Sequence, residues 1–151
     1  MPSPDGVQFV HEVYPLLLRD CGFPACHGAP ERFLRVLGPG RVRETNDIEL
    51  NDAPLLREVE LSYARAVSML ATSDEPVDSL LLRKPLALAA GGQTHVGVDT
   101  FGQNLFRDRS DDDYQLLLAW ALSHGEPPDA DAVDRAFTDA LAARELLEAA
   151  P

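Results

Sequence analysis

The chain has 151 residues, 45% of them hydrophobic, with 13 basic against 25 acidic side chains and a formal net charge of −12. This length and apolar content suffice for one domain with its own core and exclude wholesale disorder. An acidic surface repels phosphate backbones and anionic lipid, which argues against nucleic-acid binding; no run approaches the roughly 20 apolar residues of a membrane helix, so no membrane insertion is expected of this segment.

The hydrophobic spacing predicts helices almost throughout. Val7, Val10, Tyr14, Leu17 and Leu18 share one helical face, and Pro15 inside that run predicts a kink. This helix ends before Gly22-Phe23-Pro24, a turn signal. Residues 31–51 are irregular, with a loop at Gly38-Pro39-Gly40 and room for at most a short strand over 41–50. A second helix is predicted from Asp52 as N-cap, with Pro54 in the first turn. Its buried face is Leu56, Val59, Tyr63, Ala66, Val67 and Leu70. Residues 72–78 read as a loop, and 79–83 as one or two helical turns stopped by Pro85. Residues 86–109 hold four glycines and no period, a long loop expected to fold over something.

A third helix is predicted with Ser110 as N-cap and Asp111, Asp112 and Asp113 at the positive end of its dipole. That explains the aspartates better than a calcium loop does. Tyr114, Leu117, Leu118, Ala121 and Leu122 form its buried face, and His124-Gly125 closes it. A last helix is predicted over 131–149, with Val133, Ala136, Phe137, Ala140, Leu141 and Leu147 on one side. The sum is an all-α single domain over 1–151 with long loops, its core about 7–125.

The two cysteines of the chain fall in one window, Cys21-Gly22-Phe23-Pro24-Ala25-Cys26-His27-Gly28. Three chemistries suit it. In a covalent haem site two thiols add to the vinyl groups and the adjoining histidine binds iron; the usual spacing is C-x-x-C-H, and here it is C-x4-C-H. The four intervening residues can bulge outward while the sulfurs keep their separation. A Cys21–Cys26 disulfide would instead leave His27 incidental. A zinc site would need further ligands at a distance, His95 and His124 being the candidates. No nucleophile with an adjacent base, P-loop or dinucleotide fingerprint is present.

Five stretches occur in a telling order. Val13-Tyr14-Pro15-Leu16-Leu17 precedes Cys21, and Cys26-His27-Gly28 ends the cysteine window. Ser79-Leu80-Leu81-Leu82-Arg83-Lys84-Pro85-Leu86, His95-Val96-Gly97 and Asp113-Tyr114-Gln115-Leu116-Leu117-Leu118-Ala119-Trp120 follow. In these the chain resembles the class I c-type cytochrome family, and more closely the haem-c domains described as planctomycete-type, found in exported bacterial proteins. The resemblance implies a cytochrome c-like fold in which a last "D-Y-x-x-L-x-x-W" helix packs across the first. It also implies haem c as cofactor, held by Cys21 and Cys26, with His27 as proximal iron ligand.

For the other face of the iron the candidates are His95, Met69, His124, His11 and Met1. His95 is favoured: the glycines of Gly91-Gly92-Gln93-Thr94-His95-Val96-Gly97 let backbone approach a flat ring and turn one imidazole inward, and the resemblance implies the same residue. Met69 is the runner-up, since His/Met ligation suits electron carriers, although its helical spacing also suits core packing. His124 reads as a cationic helix terminus, and His11 as exposed. Trp120 and Tyr114 could edge the haem, and Arg83 and Lys84 could pair with its propionates.

The expected function is one-electron transfer through a single bis-histidine haem to an unidentified redox partner protein, with no catalysis. The alternatives are a haem-free interaction module with a Cys21–Cys26 disulfide, and a haem-based sensor or weak peroxidase with an open distal site. Met1-Pro2-Ser3-Pro4-Asp5 lacks the basic flank and apolar core of an export signal. A periplasmic or cell-surface location is expected on the premise that such a signal has been removed.

Overall fold

The computed structural model of the chain describes residues 3–95 and 104–148. Among these residues the structure is helical, in keeping with an all-α class, and the one β interaction is an isolated parallel bridge between Leu86 and Phe106.

The first helix comes in three stretches: α1 (Gly6–Gln8), a π-helical segment (Phe9–Val13) and α2 (Tyr14–Asp20). Asp5 caps its start, the carboxylate accepting the Gln8 N–H at 2.7 Å. The π turn is how this helix absorbs Pro15. A proline ring collides with the carbonyl four residues back and has no N–H to donate. Just before it, the Tyr14 N–H reaches back to the Phe9 carbonyl, widening the turn. The wider turn also resets the inward face. Phe9, Val10, Val13, Tyr14, Leu16 and Leu17 are buried, whereas Val7, expected inside, is 48% exposed.

Helix α3 (Leu56–Leu70) starts later than Asp52. The Asp52 carboxylate instead accepts the Glu49 N–H at 3.0 Å. The helix begins where the Glu58 carboxylate can reach back to the Leu55 N–H, also at 3.0 Å. Val59, Tyr63, Ala66 and Leu70 are buried as the spacing predicts, with Leu56 and Val67 packed against them.

No strand forms over 41–50; the segment is turn and loop organised by Arg43. Arg43 grips Glu58 through two 2.9 Å bonds and donates to the carbonyls of Glu49, Asp52 and Ala53 at 2.8, 3.0 and 2.9 Å. Both side chains are almost fully enclosed, 6% and 0% exposed. The stretch between the cysteine window and α4 is therefore part of the core, contributing Val36, Leu37, Val59 and Tyr63.

Helix α4 (Leu80–Arg83) follows a 3-10 turn over Pro76–Asp78, with Ser79 at its N-cap. Helix α5 (Asp112–Leu122) is capped one residue later than expected. Ser110 is tied to Asp108, while the Asp111 carboxylate accepts the N–H groups of Asp113 and Tyr114. On α5 it is Trp120, with Tyr114, Leu117 and Ala121, that is buried; Leu122 is 57% exposed.

Helix α5 packs against the π segment and α4, and α3 against α2, α4 and α6. The expected crossing of first and last core helices is realised by rings. Phe9 lies 5.2 Å from both Tyr63 and Trp120. The Trp120 Nε1–H donates to the Asp5 carbonyl at 2.9 Å. Trp120 and Tyr114 are therefore core residues and line no part of the cleft described below.

Helix α6 (Ala130–Glu148) matches its predicted span, but its apolar side outruns the core. Ala132 and Val133 are buried and Ala136 packs partly, whereas Ala140 is exposed and Leu141 is 45% exposed. The helix meets the core at the π segment and α3, and little of it lies there. The side chain of Leu147 lies outside the described residues, as does Met1.

Candidate functional site

An apolar cleft lies between the end of α2, the loop after it, the last turn of α3, α4 and the middle of α5. Its walls bring together four of the predicted residues, Cys21, Cys26, His27 and His95, with Met69 and Lys84 beside them.

Cys21 is the C-cap of α2, and the loop beyond it turns tightly. The Phe23 carbonyl accepts the N–H groups of Cys26 and Gly28 at 2.8 and 2.9 Å, and the His27 N–H donates to the Cys21 carbonyl at 3.0 Å. Cys21 and Cys26 stand as separate thiols. Burial pushes the Cys21 thiol up to about 12, with Asp20 and Cys26 adding to the rise and Arg19 opposing it. Alkylation of Cys21 by iodoacetamide in the bare polypeptide is therefore expected to climb about tenfold per pH unit between about pH 7 and 10. A plateau by about pH 9 refutes this.

The His27 ring is oriented by its own loop. Its Nδ1 lies 3.0 Å from the Leu34 carbonyl, which can only accept, so Nδ1 carries the hydrogen and Nε2 is the free lone pair. His95 faces it, with ring centroids 5.8 Å apart and planes within 15°. Burial lowers the pKa of His27, with Arg32 and Lys84 adding to the effect against the Leu34 bond. Burial also lowers that of His95, helped by His27, Lys84 and Arg32. Both imidazoles are thus neutral near pH 7, the form that binds metal.

Two glycines place His95 by folding the loop onto its own backbone. Gly91 has φ +93°, and a Cβ on Gly92 would sit 1.8 Å from the Leu86 carbonyl oxygen. The chain thus doubles back on its own backbone, the Gln93 N–H bonds the Arg83 carbonyl at 2.9 Å, and His95 follows over the cleft. Val96 and Gly97, and most of the loop up to 103, lie outside the described residues.

Among the other candidates, Met69 is in the cleft wall, whereas His11 and His124 are exposed on another surface. Arg83 is turned to the Gly91 carbonyl at 3.3 Å, and Lys84 alone of that pair lines the cleft. Arg32, Phe33 and Leu34 at the mouth, and Phe106 on the wall, are site residues that sequence reasoning missed. The one available signal was Leu34, Val36 and Leu37 within an otherwise polar stretch.

Two metal–imidazole bonds of about 2 Å, plus a ring radius of about 1.2 Å at each end, place ring centroids roughly 6.4 Å apart. The observed 5.8 Å is about half an ångström shorter, with the two rings near-parallel and stacked. Among the described residues no three His, Cys, Asp or Glu side chains converge on one point as metal ligands. The thiols are therefore not partners of the imidazoles in a four-ligand zinc site. No family model, curated protein or solved structure matches this chain.

Proposed function

We propose that this chain is an electron carrier holding one c-type haem in the cleft. The observation that carries it is the pair of facing imidazoles, His27 and His95, 5.8 Å apart in an apolar cleft whose wall also holds Cys21 and Cys26. Two neutral imidazoles would supply two ligands to an iron, and a porphyrin would bring the others with it. The thiols lie in the same wall and would be the residues that tether a haem there. Bound there, the haem supplies an iron that exchanges one electron between ferric and ferrous states.

The chain's residues have separate tasks. Cys21 and Cys26 anchor the ring edge, and His27 holds the proximal position with its ring fixed by the Leu34 carbonyl. His95 holds the distal position. With both positions taken by imidazole no open site remains, so the role is transfer to a redox partner protein rather than catalysis. The ferric state is favoured more than under His/Met ligation. Covalent attachment implies a periplasmic or cell-surface location, and the fold would be a cytochrome c-like one.

Expression in a bacterial host that carries the c-type maturation machinery tests this. The expected product is red, its mass exceeds the polypeptide by one haem, and its Soret band survives acid-acetone extraction. Colourless protein of bare polypeptide mass refutes the proposal and leaves the haem-free interaction module.

A further inference from the structure

The loop between the cysteines carries four residues, Gly22, Phe23, Pro24 and Ala25, and both sulfurs must still present themselves to one cleft. One side chain ties the last turn before Cys21 to the middle of this loop. The Arg41 Nε donates to the Leu18 carbonyl at 2.6 Å and an Nη to the Arg19 carbonyl at 3.2 Å, in the last turn of α2 next to Cys21. Its guanidinium carbon lies 4.2 Å above the Phe23 ring. Phe23 is 45% exposed, and this contact covers one face of its ring. The Phe23 carbonyl in turn accepts the N–H groups of Cys26 and Gly28. Gly22 makes room for the arginine stem: a Cβ there would lie 3.1 Å from the Arg41 Cγ.

Resting on the haem reading above, we propose that Arg41 is the positioning residue for haem attachment, clamping the four-residue bulge outward through Phe23 so that Cys21 and Cys26 are spaced for two thioether bonds. Each bond is an addition. The S–H bond and the vinyl C=C π bond break, sulfur bonds the ring-side carbon, and hydrogen goes to the terminal carbon. Nothing leaves, and no oxidant or reductant is consumed. Arg41 is absent from the cleft wall and acts only through Leu18, Arg19 and Phe23.

The test is the number of thioethers in the full chain, matured as above and read from the alkaline pyridine haemochrome band and from peptide mass. Wild type is expected to carry two. In Arg41→Ala the singly attached fraction should rise roughly tenfold or more, tenfold being the low end of losing one cation–π contact and two backbone hydrogen bonds. Arg41→Lys should be intermediate, keeping a cation but not the planar fork. Phe23→Ala, at an exposed position, should reproduce the Arg41→Ala pattern even if the latter folds poorly. A purely structural role would lower the yield of holo-protein while leaving every haem doubly attached. Two thioethers at the wild-type ratio in Phe23→Ala and in any Arg41 variant that folds overturn the clamp alone. A wild type without covalent haem overturns the clamp and the haem reading together.

Discussion

If the chain carries the haem proposed above, a His95→Ala variant is expected to keep it covalently attached, lose the low-spin ferric spectrum expected of the wild type and bind carbon monoxide readily once reduced. Cys21, Cys26 and His27 are untouched by this change and lie on a different segment from His95. The two sides of the site are therefore separable. Removing a tethered ligand removes an internal competitor held at high effective concentration, so carbon monoxide affinity should rise by roughly 100-fold or more. The reduction potential should rise as well, since the second imidazole no longer favours ferric iron. His27→Ala should behave differently. It deletes the ligand whose ring is fixed by the Leu34 carbonyl within the attachment loop, and holo-protein should be nearly lost. An unchanged low-spin spectrum in His95→Ala transfers the distal role to another side chain, Met69 in the cleft wall being next in line.

The largest effect on stability is expected from Glu58→Ala or Arg43→Ala. The two side chains are joined by paired 2.9 Å bonds and nearly fully enclosed. Glu58 also accepts the N–H groups of Glu44 and Leu55, at 2.9 and 3.0 Å. Removing either partner leaves an uncompensated buried charge, which costs about 3–5 kcal/mol. For a chain of this size that lowers the unfolding midpoint by roughly 10 °C. Replacing both by apolar residues should cost less, since no charge is then stranded, although Arg43 also closes the loop carbonyls of Glu49, Asp52 and Ala53. Burial alone would raise the Glu58 carboxyl; Arg43 and the backbone N–H groups of Glu44 and Leu55 overcome this and hold it below the usual carboxylate range. A depressed folded value means that the stabilisation is complete above the unfolded value of 4.5 and declines as pH falls below it. Urea midpoints should therefore drop between about pH 5 and 3 in wild type and fall less steeply in Glu58→Gln. Equal slopes would show that Glu58 does not report the acid limb.

Helix identity was legible because apolar residues at helical spacing bury whichever partner they meet, and α3, with Val59, Tyr63, Ala66 and Leu70, is the plainest instance. The cysteine window and His95 were legible because their chemistry is local or rare in this chain. What could not be read depends on long-range partners. Arg43 and Glu58 look like two ordinary charges until a loop folds one onto the other. Their pairing also explains why α3 starts where Glu58 can reach back rather than at Asp52. The register of the first helix hid behind the π turn, which alters the period on which the expectation for Val7 rests. On α6 the pattern of Ala140 and Leu141 fits a buried stripe, but amphipathicity cannot say where the neighbouring elements stop.

That last helix bears on how unfolding should be watched. Trp120, the sole tryptophan, is fully buried among Phe9 and Tyr63 and reports the loss of the core alone. Far-ultraviolet ellipticity also counts the outer turns of α6, whose residues Ala140 and Leu141 are solvated and whose backbone bonds can open without disturbing the indole. Fluorescence and ellipticity curves that part company on heating would thus register fraying at one end, not a populated intermediate of the whole domain.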